Sequence, residues 1–301
     1  MRCSPLTLPL LLLSLLTVAA SHAAPAAEEK GTWTGEVRER DLQLSLSRPE
    51  RGGNMGMPLP LSAFKGLDVA AAKGQGEQQF RLEREAGTLH LDGRFSEGRG
   101  AGFYRFAPSA DYLQKMAGLG FKDLSKEDQV ALAVFDVSSA RVKALQQLGF
   151  KDLTSEDLVK TAIFNVTPEY VQALRKLGYD KLTLEEVVEG RIHGVTPERI
   201  EALAAAGYKD LPAEQLKAMS IHGASPEYIQ ELGTLGYKKL PPEQLIQMRI
   251  HGVSPQYIRE LREAGYDDLT PEQLVKLRIH GIDREFMRSV SGRQASGAKK
   301  P

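Results

Sequence analysis

Two hydrophobic periods divide the chain. From residue 31 to 106 the period is two: Trp33, Gly35 and Val37 alternate with polar residues, and so do Leu42, Leu44 and Leu46. Such alternation buries one face of a strand and leaves the other in water. Phe80 to Arg84 and Thr88 to Phe95 flank Glu85-Ala86-Gly87, a hairpin signal, and a glycine-containing turn over 96–100 leads into Gly102 to Phe106. Pro58 to Leu61 and Ala63 to Leu67 read as a loop with a short helical turn. The expectation is a small antiparallel sheet of about five strands, sandwich- or barrel-like, whose apolar face packs on the start of the C-terminal region.

After Phe106 the period becomes helical and the chain repeats itself. A shift of 29 residues superimposes six ungapped copies, starting at 108, 137, 166, 195, 224 and 253, and a seventh starts at Ile282 and stops. A fixed long period of this kind marks an α-helical solenoid. Each copy carries two helix starts. Thr167-Pro168, Thr196-Pro197, Ser225-Pro226 and Ser254-Pro255 pair a hydroxyl that accepts from a free N–H with a proline that lacks one where none is needed. Thr270-Pro271-Glu272-Gln273 is a capping box, echoed at Thr183 to Glu186 and Ser125 to Asp128. Helix ends are marked by Gly120, Gly149, Gly178, Gly207, Gly236 and Gly265, each followed by Phe or Tyr, and by Gly194, Gly223, Gly252 and Gly281. The reading is two helices of about ten residues per repeat, too short to persist in water without neighbours.

Similarity among the copies separates core from surface. Leu124, Leu153, Leu182, Leu211, Leu240 and Leu269 form one expected core column. Met116, Leu145, Leu174, Leu203, Leu232 and Leu261 fill the first helix, and Val134, Ile163, Ile192, Ile221, Ile250 and Ile279 the second. The columns Gln172, Glu201, Gln230, Arg259 and Lys160, Glu189, Ala218, Gln247, Lys276 vary. They are expected to face solvent and to be where a binding surface is written.

The remaining segments change the class more than the fold. Arg2, the apolar run Leu6 to Ala20 and the small residues Ser21-His22-Ala23 read as a signal peptide over 1–23, cleaved after Ala23. Its apolar run is shorter than the roughly 20 residues of a membrane span, so no stable membrane insertion is expected after cleavage. The expected location is periplasmic or secreted. Residues 24–30 read as a linker, 31–106 as the β domain, 107–288 as the repeat array with a partial cap, and 289–301 as a disordered tail. The single cysteine, Cys3, lies in the signal, which leaves no disulfide, thiolate or cysteine metal site. Lys plus Arg and Asp plus Glu each number 39, so the net charge is zero and no nucleic-acid partner is expected.

Candidate chemistry is sparse. His193, His222, His251 and His280 recur within Ile-His-Gly. Equivalent residues of adjacent repeats lie about one helix-packing distance apart, roughly 8–10 Å. Ligands of one ion must each reach about 2 Å, so a helix-end role is the expectation, with no metal or cofactor. Arg191, Arg249 and Arg278 stand two residues earlier, interrupted by Ser220, as a solvated cationic stripe or a site for an acidic partner. Tyr170, Tyr228 and Tyr257 lie in the first turn of first helices and are expected to pack. No His-Glu-x-x-His, Gly-x-Ser-x-Gly or Walker loop occurs, and catalysis is not expected.

The run from Thr167 to Tyr179, with the later Leu-Thr-Pro-Glu-Gln-Leu and Arg-Ile-His-Gly, resembles a repeat of bacterial exported proteins. The same repeat type occurs beside membrane metallopeptidase domains of the β-lactam-sensor type. Phe80 to Leu89 and Gly98 to Phe103 resemble the β module that precedes such repeats. The resemblance implies an architecture and an envelope setting, not a reaction; the peptidase motif is missing here, so peptidase activity does not carry over. Three functions are compatible with these readings. The first is an exported scaffold for a protein or peptide partner in the cell envelope, with the arginine, histidine and Gln172-type columns as candidate surface. The second is a sensor or regulatory partner of a membrane signalling protein. The third is a glycan- or peptidoglycan-binding β module on a helical stalk.

Overall fold

The computed structural model describes residues 29–47, 54–283 and Phe286. The segments read as signal peptide and tail, and all of the linker before Glu29, lie outside the described residues.

The N-terminal module is one antiparallel sheet of seven strands: β1 Glu29–Val37, β2 Asp41–Ser47, β3 Asn54–Pro60, β4 Phe64–Lys65, β5 Gln75–Arg84, β6 Gly87–Ser96 and β7 Arg99–Pro108. Their order is β3-β2-β1-β7-β6-β5-β4, so the first strand pairs with the last, with Trp33 opposite Gly102. The sheet curls around an aromatic centre. The Trp33 ring lies 5.3 Å from both Phe80 and Phe95, and its Nε1 donates to the Asp92 carbonyl at 3.0 Å. Glycine makes this approach possible. A Cβ on Gly93 would stand 2.8 Å from the Trp33 ring, and one on Gly102 1.9 Å from the Asp92 carbonyl oxygen.

Two strands exceed the sequence reading. β3 occupies what reads as loop, because Gly56, Pro58 and Pro60 mask a period-two row, Met55, Met57 and Leu59, that faces inward. Pro58 and Pro60 are tolerated because β3 is an edge: their nitrogens face away from the ladder with β2 and strip that edge of donors. The expected helical turn is present over Leu61–Ala63, followed by the two-residue β4 and a short helix, α1 (Val69–Lys73), capped by Asp68. β1 starts at Glu29, inside the segment read as linker.

The rest is an α-solenoid. The first helices are α2 Ala110–Gly118, α4 Ser139–Gln147, α6 Pro168–Lys176, α8 Pro197–Ala205, α10 Pro226–Thr234 and α12 Pro255–Glu263. The second are α3 Lys126–Val134, α5 Ser155–Ile163, α7 Leu184–Ile192, α9 Ala213–Ile221, α11 Pro242–Ile250 and α13 Pro271–Ile279. Each is nine residues long. Caps explain that uniformity. Ser109, Ser138, Thr167, Thr196, Ser225 and Ser254 each accept from the third helical amide. Complete capping boxes start α3, α5, α7 and α13, whereas Pro212 and Pro241 begin α9 and α11 with no side-chain cap. Left-handed glycines end the first helices. At the end of the second helices Asp136 (φ 54°) and Asn165 (φ 51°) do in the first two copies what glycine does later, since a short polar side chain tolerates that region.

First helices pack on first helices and second on second, giving two layers with the core between them. The column from Met116 to Leu261 is buried throughout. So is Val137, Val166, Val195, Ala224 and Val253, just past each second helix, which the repeat comparison does not single out. The second-helix isoleucine column corrects an expectation. Val134 is 2% exposed because α3 packs against β5, β6 and β7, but Ile163, Ile192, Ile221, Ile250 and Ile279 are 46–57% exposed. Among the described residues, no helix is long and apolar enough to cross a membrane.

Candidate functional site

The arginine column is largely committed to the fold. Arg191, Arg249 and Arg278 hold their guanidinium groups 4.8–4.9 Å from the ring centres of Tyr170, Tyr228 and Tyr257. Those tyrosines are buried, and their hydroxyls donate to the carbonyls of Val195, Val253 and Ile282 at 2.7–2.8 Å. Burial pushes the Tyr170 and Tyr228 hydroxyls up to about 12, against the pull of the neighbouring arginine. Arg249 and Arg278 also donate from Nε to the carbonyls of His222 and His251 in the preceding repeat, at 3.3 and 3.4 Å. The column is therefore a set of joints rather than an open cationic stripe.

Ser220 interrupts the column for a reason that only the tertiary structure exposes. In its repeat the tyrosine is replaced by Arg199, which donates to the Met219 carbonyl at 3.4 Å. Arg141 plays the same part earlier, donating to Thr161 and Val166 at 2.6 and 2.8 Å, opposite Ala162. From the second repeat onward each such joint thus holds one cation, supplied from either side; in the first, Tyr112 donates to the Val137 carbonyl opposite Ala133 and no cation is present. The Arg199–Ser220 joint is the poorer one: Arg199 Nε and Ser220 Oγ are both buried without a hydrogen-bond partner.

The histidines are the C-terminal caps of α7, α9, α11 and α13, in the polar rim beside the isoleucines. Among the described residues, no three His, Cys, Asp or Glu side chains converge as a metal site would require. Gln172, Glu201, Gln230 and Arg259 are exposed on the first helices, in the other layer. The structure thus does not bring the candidate surface residues into one patch. Nor does the β module offer its aromatic core to a sugar: Trp33, Phe80 and Phe95 are 1%, 3% and 0% exposed.

What the structure does bring together is the outer face of the second-helix layer. Ile163, Ile192, Ile221, Ile250 and Ile279 stand in a row, one per repeat, with Phe164 beside the first. Seven residues earlier, and so on the same face, runs Glu156, Glu185, Glu214, Glu243 and Glu272. Helix N-termini favour these glutamates. No comparable fold demand explains five half-exposed isoleucines, and an apolar row of this length is unusual on a free surface. Between α5 and α7 the face opens into a groove of about 370 Å³, floored by Phe164, Leu184, Val188 and Ile192 and edged by Asp157, Lys160, Glu185 and Glu189. Alignment of the repeats marks these columns but assigns the isoleucines to the core, because a β-branched residue at an invariant position has the same signature in either place.

Comparisons of the chain with family models, with curated proteins and with solved structures returned no match.

Proposed function

We propose that this protein is an exported interaction scaffold that binds a protein or peptide segment along the isoleucine face of its second helices. The observation that carries the reading is that an invariant column stays about half exposed in five consecutive repeats. The core does not require that exposure, and apolar side chains at regular spacing give a partner repeated contacts. The N-terminal Leu-rich segment with its Ser-His-Ala site supports export, and the envelope-type repeat it resembles supports the same setting.

The test is photocrosslinking in the producing cell, with a photoreactive residue at position 221 in the middle of the row. Mass spectrometry of the adducts should recover a discrete protein partner. The partner should be lost when Ile192 and Ile250 are changed to Asp in a variant whose helical circular dichroism is unchanged. A set of adducts indistinguishable between the two proteins would overturn the reading.

A further inference from the structure

The α5–α7 groove differs from the rest of the isoleucine face in width and in charge. α5 and α7 approach less closely than the neighbouring pairs α3–α5, α7–α9, α9–α11 and α11–α13, which is what opens the apolar floor. The charges around it are predominantly negative. α5 carries Glu156 and Asp157 against Lys160, and α7 carries Glu185, Glu186 and Glu189 against Arg191. Of the three cations near it, Lys160, which also lines the groove, is held by Glu156 at 2.7 Å, Arg191 lies over the Tyr170 ring, and Lys217 of α9 pairs with Glu189 at 2.7 Å. Farther along, Lys217 is shared with Glu214 at 2.9 Å, Glu243 stands in α11, and Glu272 accompanies Lys276 in α13, while Arg249 and Arg278 lie over Tyr228 and Tyr257 as Arg191 lies over Tyr170. The apolar row is continuous while the charge beside it is most acidic at α5–α7 and balanced at α13.

We infer that the partner is an amphipathic segment with a cationic end, seated so that this end occupies the α5–α7 groove. This rests on the scaffold reading above. Its apolar side chains lie on the isoleucine row. A Lys or Arg near its end lays its aliphatic stem on Phe164 and Val188 and brings its charge to Asp157 and Glu185, as long cationic side chains do at an apolar surface with an anionic edge. A half-enclosed groove screens such a pair less than open water does. The gradient also sets direction, because the reverse orientation would bring the cationic end to α13, which offers Glu272 alone against Lys276.

The experiment uses the full chain and two fluorescein-labelled peptides of equal length, with Leu at helical spacing and the remaining positions Lys in one and Glu in the other. Fluorescence anisotropy should show the Leu–Lys peptide binding at least about tenfold more tightly. Glu185→Lys should weaken that binding by about tenfold, whereas Glu272→Lys at the far end should change it by less than about twofold. Glu185→Gln, which keeps the shape, should give an intermediate loss. Equal binding of the two peptides, or equal effects of Glu185→Lys and Glu272→Lys, would overturn the inference. If the Leu–Glu peptide binds as well and Ile192→Asp abolishes it, the scaffold face stands and the cationic assignment falls. If neither peptide binds yet the crosslinked partner is still captured at position 221, the cationic assignment again falls alone. Loss of both results removes both readings.

Discussion

The sheet and the array both bury apolar surface without a disulfide, and they use chain distance in opposite ways. In the sheet, the first strand pairs with the last, and Trp33 hydrogen-bonds to the Asp92 carbonyl 59 residues away. No part of that core is complete until nearly all of it is. In the array, every repeat beyond those at the sheet boundary touches only its neighbours, through joints that recur at fixed offsets: tyrosine hydroxyl to carbonyl 25 residues on, as in Tyr228 to Val253, and 32 residues on, as in Tyr208 to Leu240. The lesson is that one region fails as a whole and the other joint by joint.

The most severe way to test this contrast is Trp33→Ala. Removing a fully buried indole at the centre of the aromatic cluster should cost about 3–5 kcal/mol. Amide hydrogen exchange should lose the sheet's protection signal while most of the helical far-ultraviolet circular dichroism signal persists. Simultaneous loss of both signals would show that the two regions are one cooperative unit. The boundary itself is a polar latch, next in size. Glu85, in the β5–β6 turn, accepts from the Ser139 amide at 2.9 Å and its hydroxyl at 2.6 Å, and pairs with Lys115 at 3.3 Å. Burial works to raise the Glu85 carboxyl, but those partners outweigh it and hold the group below its ordinary 4.5. Its folded value is depressed, so the stabilisation is complete above the unfolded value and is lost as pH falls through the folded one. Glu85→Ala should therefore cost about 2 kcal/mol at neutral pH, and chemical denaturation should show the difference from wild type shrinking in the acid range below the ordinary carboxylate value.

Smaller effects sharpen the joint-by-joint side. Tyr228→Phe deletes one buried hydroxyl and leaves the Val253 carbonyl short of its donor, a loss of about 1–1.5 kcal/mol. Hydrogen exchange should speed up around α10 and α11 and not in the sheet; protection lost uniformly would contradict local coupling. The exchange of joints is the finest test. Arg199→Tyr together with Ser220→Arg converts the poorer joint, with its two unpartnered polar atoms, into the Tyr–Arg form of its neighbours. The double variant should gain about 1 kcal/mol, and either single change should gain less than half of that. Additive single effects in the thermal midpoint would mean the pair does not act as a unit.

How much of this is legible in the sequence depends on the range of each interaction. Caps and left-handed glycines act within one helical turn, so Thr167-Pro168 or Gly178-Tyr179 announces its structure directly. The joints do not: Arg191 reads as a free cation until Tyr170, 21 residues earlier, is seen under it. β3 is obscured because its prolines are allowed only at an edge, and edge position belongs to the whole sheet.

The residues by themselves determined the two periods, the 29-residue unit and the ends of its helices, because each depends on contacts within a few positions of the chain. Which invariant columns face water was decided only by the tertiary structure. Val134 and Ile192 occupy the same place in the repeat, yet one is 2% and the other 46% exposed. The difference is the sheet that covers α3 and nothing comparable over α7, and a covering layer is a property of the assembled fold rather than of any repeat.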